Sequence, residues 1–185
     1  VAIGITEEHR ELGKSLQGWA RGIGAIEAVR AAEDSDDPFA AEGPLAPVWP
    51  SLVEMGISSI VLPSRTGGGD GTMTDAAVAL EACAHALVPG PLWGTSTAAA
   101  VLRGSEAPSR LLGEGAAVAV APTPSLVVDG DRLVGDLALV WDAGGATHLL
   151  AGAGGDGDEQ WFLVPAAAAG LEAVPGLDLS RRAGR

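Results

Sequence analysis

The sequence predicts an α+β protein, with an α-helical domain over residues 1–113 and a β domain over residues 114–185. Three observations carry that prediction. Apolar residues near the N-terminus recur at helical steps of three and four. A strand, an Asp-Gly pair and a second strand follow one another over residues 126–134, the pattern of a β-hairpin. Between them, at Gly113 to Gly115, alanine-rich helical stretches give way to short β-like runs.

Thr6 is placed to cap the first helix, with Glu7 and Glu8 in the turn where the helix dipole favours acids. Leu12, Leu16, Trp19, Ile23 and Ile26 form one stripe on a helix running to about Ala32, which makes Trp19 a core residue. Gly18, Gly22 and Gly24 weaken that helix by up to about 1 kcal/mol each, and are expected to mark the close approach of a neighbour. Glu33 to Pro38 is an acidic loop without the glycine and spacing of a calcium site. Pro47 opens a short helix through Trp49, Leu52 and Val53, with Gly56 just past its end. Pro50 is tolerated there because first-turn N–H groups lack helical partners.

Ile57, Ile60, Val61 and Leu62 make a buried segment that stops at Pro63. Gly67 to Gly71 reads as a tight turn, since it lacks the Lys-Ser/Thr ending of a phosphate loop. Thr74 is expected to cap a third helix that ends near Val88 to Pro91. A fourth helix covers Thr95 to Leu102, and a short turn covers Ser109 to Leu112. Ala116 to Ala121 is β-like, and Asp129-Gly130 is the hairpin turn. Leu137–Val140, His148–Ala151, Gln160–Val164 and Leu171–Val174 are further short strands. No internal repeat is present.

Composition narrows the function classes. Apolar residues are 47% of the chain, enough for a core, and 27 Gly with 12 Pro imply many turns. A net charge of −13 repels nucleic acid and disfavours an anionic membrane surface, and serves solubility. The single cysteine, Cys83, permits no disulfide within the chain, which fits a reducing compartment, and reads as a small core residue. No apolar stretch suits a signal peptide or a membrane span, so a cytoplasmic location is expected. His85 lies between alanines on a helix and is expected to be packed or at an interface. His148 alone is no metal site, Trp93 packs a turn, and Glu81 by itself is no evidence of a base.

Several stretches then fall in a telling order: Ile5-Thr6-Glu7-Glu8-His9-Arg10-Glu11-Leu12, then Trp49 to Ile57, Val61-Leu62-Pro63, Gly67-Gly68 and Asp75 to Leu87. Asp129-Gly130, Gly135, Ala143, Ala146, Leu149-Leu150, Phe162 to Pro165, Gly170-Leu171 and Leu177 to Arg182 continue it. Together they resemble the acyl-CoA dehydrogenase family, in its actinobacterial members, over nearly the whole chain. The resemblance implies the N-terminal helical domain and an incomplete antiparallel β domain, with the C-terminal helical bundle of the family absent. Open sheet edges in such a β domain are expected to be covered by a partner or by further sequence.

That family removes two hydrogens from an acyl-CoA thioester. A carboxylate takes the α-proton while FAD accepts a hydride from Cβ. The base usually comes from the C-terminal bundle, so no catalytic residue is assigned here. Flavin-binding members carry a Thr-Glu-Pro loop and a Gly-Ser-Asp turn before the hairpin. Here Ala119-Val120-Ala121-Pro122 stands in place of the first and the second is missing. Thr123 and Ser125 are the hydroxyls left in the shortened loop. The second flavin element is Gly-x-Lys-x-Trp-Ile-Thr. Counted from Gly135, Leu137 replaces the lysine, Leu139 the tryptophan, Val140 the isoleucine and Trp141 the threonine. An indole at that place takes space a flavin needs, or stacks on it. Pro122, Thr123, Leu139, Val140 and Trp141 are thus the cofactor-binding positions, expected to be degraded.

The resemblance then implies the non-flavin-binding half of a composite enzyme, for bulky or steroid-derived acyl-CoA. Its expected partners are a homologous subunit or the missing C-terminal region, acyl-CoA and electron-transfer flavoprotein. The alternatives are a truncated ordinary FAD-dependent dehydrogenase and a non-enzymatic acyl-CoA or protein-binding module. For the latter, Arg181, Arg182 and Arg185 are the one dense basic cluster.

Overall fold

The computed structural model describes residues 4–154, 158–174, 176 and 178–185. Of the stretch Leu177–Arg182 singled out above, Leu177 lies outside the described residues. Among the described residues, seven α-helices and seven short strands give the expected α+β architecture, helices first.

Helix α1 (Glu7–Gly22) starts where Thr6 accepts the His9 N–H, and the His9 ring accepts the Thr6 N–H in return. The apolar stripe continues to Ile26, but the helix does not. Gly24 takes a left-handed φ of 67° and separates α1 from α2 (Ala25–Ala31). Periodicity survives such a break because the chain resumes a helix one turn later. Ile23 and Ile26 are left partly exposed, while Leu16 is buried.

Helix α3 (Val48–Glu54) closes as expected. Gly56 N–H donates to the Val53 carbonyl and Ile57 N–H to the Leu52 carbonyl, the pair of hydrogen bonds that a left-handed glycine permits. Helix α4 (Met73–His85) is capped by Thr72 rather than by the expected Thr74. Thr72 and Asp75 satisfy each other's backbone N–H groups, a reciprocal arrangement that Thr74 has no acid at the right spacing to make. The His9 ring meets Asp75 at 3.1 Å and ties the starts of α1 and α4 together. Helix α5 (Leu92–Leu102) begins three residues before the expected start, and α6 (Glu106–Gly113) is longer than the turn foreseen.

The central sheet is β1 (Val118–Val120), β4 (His148–Ala153) and β5 (Gln160–Pro165), in the order β1-β4-β5. Strands β4 and β5 are antiparallel, whereas β1 runs parallel to β4, a pairing the sequence does not announce. The hairpin is β2 (Val127–Asp129) and β3 (Arg132–Val134), turning on Gly130 and Asp131, so Asp129 ends a strand instead of opening the turn. Leu137–Val140 is not a regular strand. Only Val140 and Trp141 make bridges, to Gly184 and Val120. Helix α7 (Ala166–Ala169) follows β5, and β6 (Ala173–Val174) pairs with β7 (Ala183–Gly184).

Strand β1 is buried on both faces, and its residues alternate between two cores. Val118 and Val120 pack with Leu62, Ala98, Leu112 and Leu150 toward the helices. Ala119 and Ala121 pack with Val140, Leu149 and Ala151 toward the hairpin. Helix α5 lies hard against β1. A Cβ on Gly94 would collide with the Val118 carbonyl oxygen, and the Thr95 hydroxyl accepts the Val118 N–H at 2.9 Å. A separate cluster of Leu16, Leu52, Ala82 and Cys83 holds α1, α3 and α4 together. Among the described residues no helix is long and apolar enough to cross a membrane.

Candidate functional site

The expected cofactor positions converge at the end of β1. Val120 and Trp141 exchange two backbone hydrogen bonds, at 3.0 and 2.8 Å. Pro122 and Thr123 leave the same strand two and three residues further on, and both are exposed. Sequence separation of about twenty residues is thus closed by one antiparallel bridge. Val140 is fully buried beneath it, bonded through its backbone to Gly184. Leu139 and Trp141 are both partly exposed, at 44% and 40%.

The Trp141 indole meets the Trp93 indole edge-on, with centroids 4.8 Å apart and planes at 68°. Trp93 lies in the first turn of α5, so the pair bridges helices and sheet. Trp93 therefore has a role in this site that its position after Pro91 did not reveal. Among the five expected positions Thr123 supplies the one side-chain hydroxyl, and it lies on the exposed loop.

Asp142 is the residue that the sequence reading missed. It adopts a left-handed φ of 58°, and its side chain is buried. The carboxylate accepts the Gly94 N–H at 2.8 Å, at the start of α5. Burial raises its pKa, against the Gly94 N–H, the Arg181 charge and the Trp93 N–H, which lower it; the charge of Asp178 adds to the rise. The signal available was an acid directly after a tryptophan and before Ala143-Gly144-Gly145, in a run otherwise apolar. Nothing in spacing alone says that it caps a helix 48 residues away.

Trp93, Trp141, Asp142, Asp178, Arg181 and Arg182 line a pocket of about 370 Å³. A larger groove of about 810 Å³ lies on the opposite face of the sheet, beneath the hairpin. Leu126, Leu133, Leu137, Phe162 and Val164 line it, and Val140 is the one expected cofactor position that it reaches. Among the described residues no group of His, Cys, Asp and Glu could hold a metal ion. Neither His85 nor His148 lines the Trp141 pocket, and Cys83 is buried in the helical core.

No family model matches the chain. It is 34% identical over 145 residues to acyl-CoA dehydrogenase IpdE2 of Mycolicibacterium smegmatis, a match covering 75% of this chain and 43% of that protein. Among solved structures it resembles the ChsE4-ChsE5 complex of Mycobacterium tuberculosis, with TM-score 0.78 and 20% identity, over 100% of this chain and 54% of that one. It resembles the G363A variant of the Tcur3481-Tcur3483 steroid ACAD with TM-score 0.71 and 28% identity, over 95% of this chain and 54% of that one. An acyl-CoA dehydrogenase of Bacillus anthracis complexed with FAD has the same fold at TM-score 0.69 and 18% identity, over 97% of this chain and 35% of that one. FAD is thus a cofactor of the family. The chain spans about half the length, or less, of the proteins it matches. Sequence and fold agree: the chain belongs to the acyl-CoA dehydrogenase family.

Proposed function

We propose that this chain is the supporting half of a composite acyl-CoA dehydrogenase: it does not itself hold flavin, and it completes the site of a homologous, FAD-bearing subunit. The observation that carries the reading is Trp141. Where the family pattern has a small hydroxyl residue, this chain has an indole wedged edge-on against Trp93, on backbone already paired to Val120. Leu139 and Val140 add no polar group, and Thr123 sits on an exposed loop. The side chains at these five positions do not fit the hydrogen-bonding needs of a flavin ring.

In the composite enzyme the partner's FAD would accept the hydride and the partner's carboxylate the α-proton. This chain would contribute walls. Helix α5 and β1 fix Trp93 and Trp141 rigidly, because Gly94 brings their backbones into contact and Asp142 ties the two layers. A bulky, steroid-derived acyl-CoA is the favoured substrate class, by analogy with the steroid ACAD pair that this chain resembles. Electron-transfer flavoprotein as acceptor and a cytoplasmic location follow from the family resemblance.

The test is flavin counting in the assembled enzyme. The full-length polypeptide containing this chain is purified with its homologous subunit, and flavin is measured against both chains. One flavin per pair is expected. Two flavins per pair would overturn the reading in favour of an ordinary FAD-dependent dehydrogenase.

A further inference from the structure

Strand β7 lies between two neighbours. Gly184 exchanges two backbone hydrogen bonds with Val140, at 2.7 and 2.9 Å. Arg185 exchanges two with Glu172 on the other side, at 3.1 and 3.2 Å, and its guanidinium pairs with the Glu172 carboxylate at 3.4 Å. Pairing on the Glu172 side stops there, because Gly170 is left-handed at φ 64° and the Leu171 N–H is taken by the Ala166 carbonyl. On the Val140 side the antiparallel register leads on to Leu139, Ala138 and Leu137. Among the described residues, none of these three makes a backbone hydrogen bond.

The groove of about 810 Å³ adjoins this run, and Leu137 belongs to both. Leu133, Leu137, Phe162, Val164 and Leu171 line the groove and pack against the buried Val140 and Leu149, yet all five are only partly buried. Arg185 lines it as well, so β7 leads directly to it. An open strand edge and a half-covered apolar face thus lie side by side. A small apolar ligand would cover the side chains but leave the peptide groups of the run unpaired. A strand meets both needs at once.

We infer that the polypeptide following Arg185 in the full-length protein extends β7 along Leu137–Val140 and covers this groove with alternate side chains. The relative IpdE2 has the length for such a segment, since the 145 residues matched here are 43% of it. Register fixes the details. The first residue after Arg185 stands opposite Ala138, in a hydrogen-bonded pair like that of Val140 and Gly184. It shares the face of Gly184, where an added Cβ would meet the Leu171 side chain at 3.0 Å. The first and third residues after Arg185 therefore point inward and are apolar, and the second points outward as the exposed Arg185 does. The same pairing accounts for a run at Leu137–Val140 that has the composition of a strand but forms a bridge only at Val140. The inference holds whichever chain of the enzyme carries the flavin.

The test is residue-resolved amide hydrogen exchange on the full-length polypeptide, first alone and then with its homologous subunit. The Ala138 amide is expected to exchange about 100-fold or more slower than an unstructured amide in the polypeptide alone. A second measurement identifies the occupant. Cysteines replace Ala138 and the first residue after Arg185, a hydrogen-bonded cross-strand pair whose Cα spacing of about 5.5 Å suits a disulfide. Mild oxidation is expected to link the two within one chain, as shown by peptide mapping. An unprotected Ala138 amide overturns the inference. Protection that appears only with the homologous subunit also overturns it, and assigns the groove to that partner. Protection in the polypeptide alone without the disulfide means that a different segment fills the groove, which overturns it too.

Discussion

Asp142 offers the sharpest perturbation, because its carboxylate is buried and has a defined partner. In Asp142→Ala the Gly94 N–H loses its acceptor in the interior, which costs about 1–3 kcal/mol. Alanine is also ill suited to the left-handed backbone at this position, worth about another 1 kcal/mol. The loss is therefore about 2–4 kcal/mol, read from urea unfolding midpoints at pH 7. Asp142→Asn keeps an oxygen for the Gly94 N–H, tolerates the same backbone and removes a charge that burial disfavours, so its change stays within about 1 kcal/mol. The pH dependence separates the two causes further. The folded-state pKa is raised above the ordinary value near 3.8, so folding binds the proton more tightly than the unfolded chain does. This contribution is largest below the unfolded value and declines as pH rises through the folded one. Asp142→Asn abolishes that decline. An alanine variant as stable as the wild type, or an asparagine variant as damaged as the alanine one, would refute the role given to this carboxylate.

Other perturbations address the scaffold. Leu52→Ala empties a fully buried position between α1, α3 and α4 and is expected to lose about 2–5 kcal/mol in the same urea assay. Thr72→Ala removes the cap of α4, with an expected loss of about 1 kcal/mol. The Thr72 hydroxyl and N–H hold the Asp75 pKa below the ordinary range, so that stabilisation is present above it and is lost as pH falls through the lowered value; the variant's acid-unfolding curve should be correspondingly shallower. Burial pushes the Cys83 thiol up to about 11, so it should resist a thiol reagent in the native protein at pH 8 and react fully in urea.

The order of helices and strands was legible because each has a local signal: the Thr6 cap, the Gly56 terminator, the 126–134 hairpin. Failures cluster where long-range partners decide. Gly24 breaks a helix that its apolar spacing would continue, and a glycine's left-handed turn leaves no trace in periodicity. Thr74 is the expected cap, but the acid three residues on from Thr72, Asp75, makes Thr72 the cap. Leu137–Val140 has the composition of a strand, but its partners are single residues of two other segments, which leaves only bridges at Val140 and Trp141. For the candidate site, counting from Gly135 places Trp141 at the ring position only by the family resemblance; the structure adds that it lies beside Val120 at the end of β1, which the count does not reveal. Its edge-on contact with Trp93 and the burial of Asp142 depend on α5 lying against β1, and each joins residues 48 apart in sequence.

The central claim is that Trp141 closes the flavin position of this chain. The most direct measurement is the visible absorbance spectrum of the full-length polypeptide containing it, purified with added FAD and without its homologous partner. The account predicts no retained flavin band after desalting. A stoichiometric flavin band would contradict it, and would mean that the Trp141 indole stacks on the ring instead of excluding it.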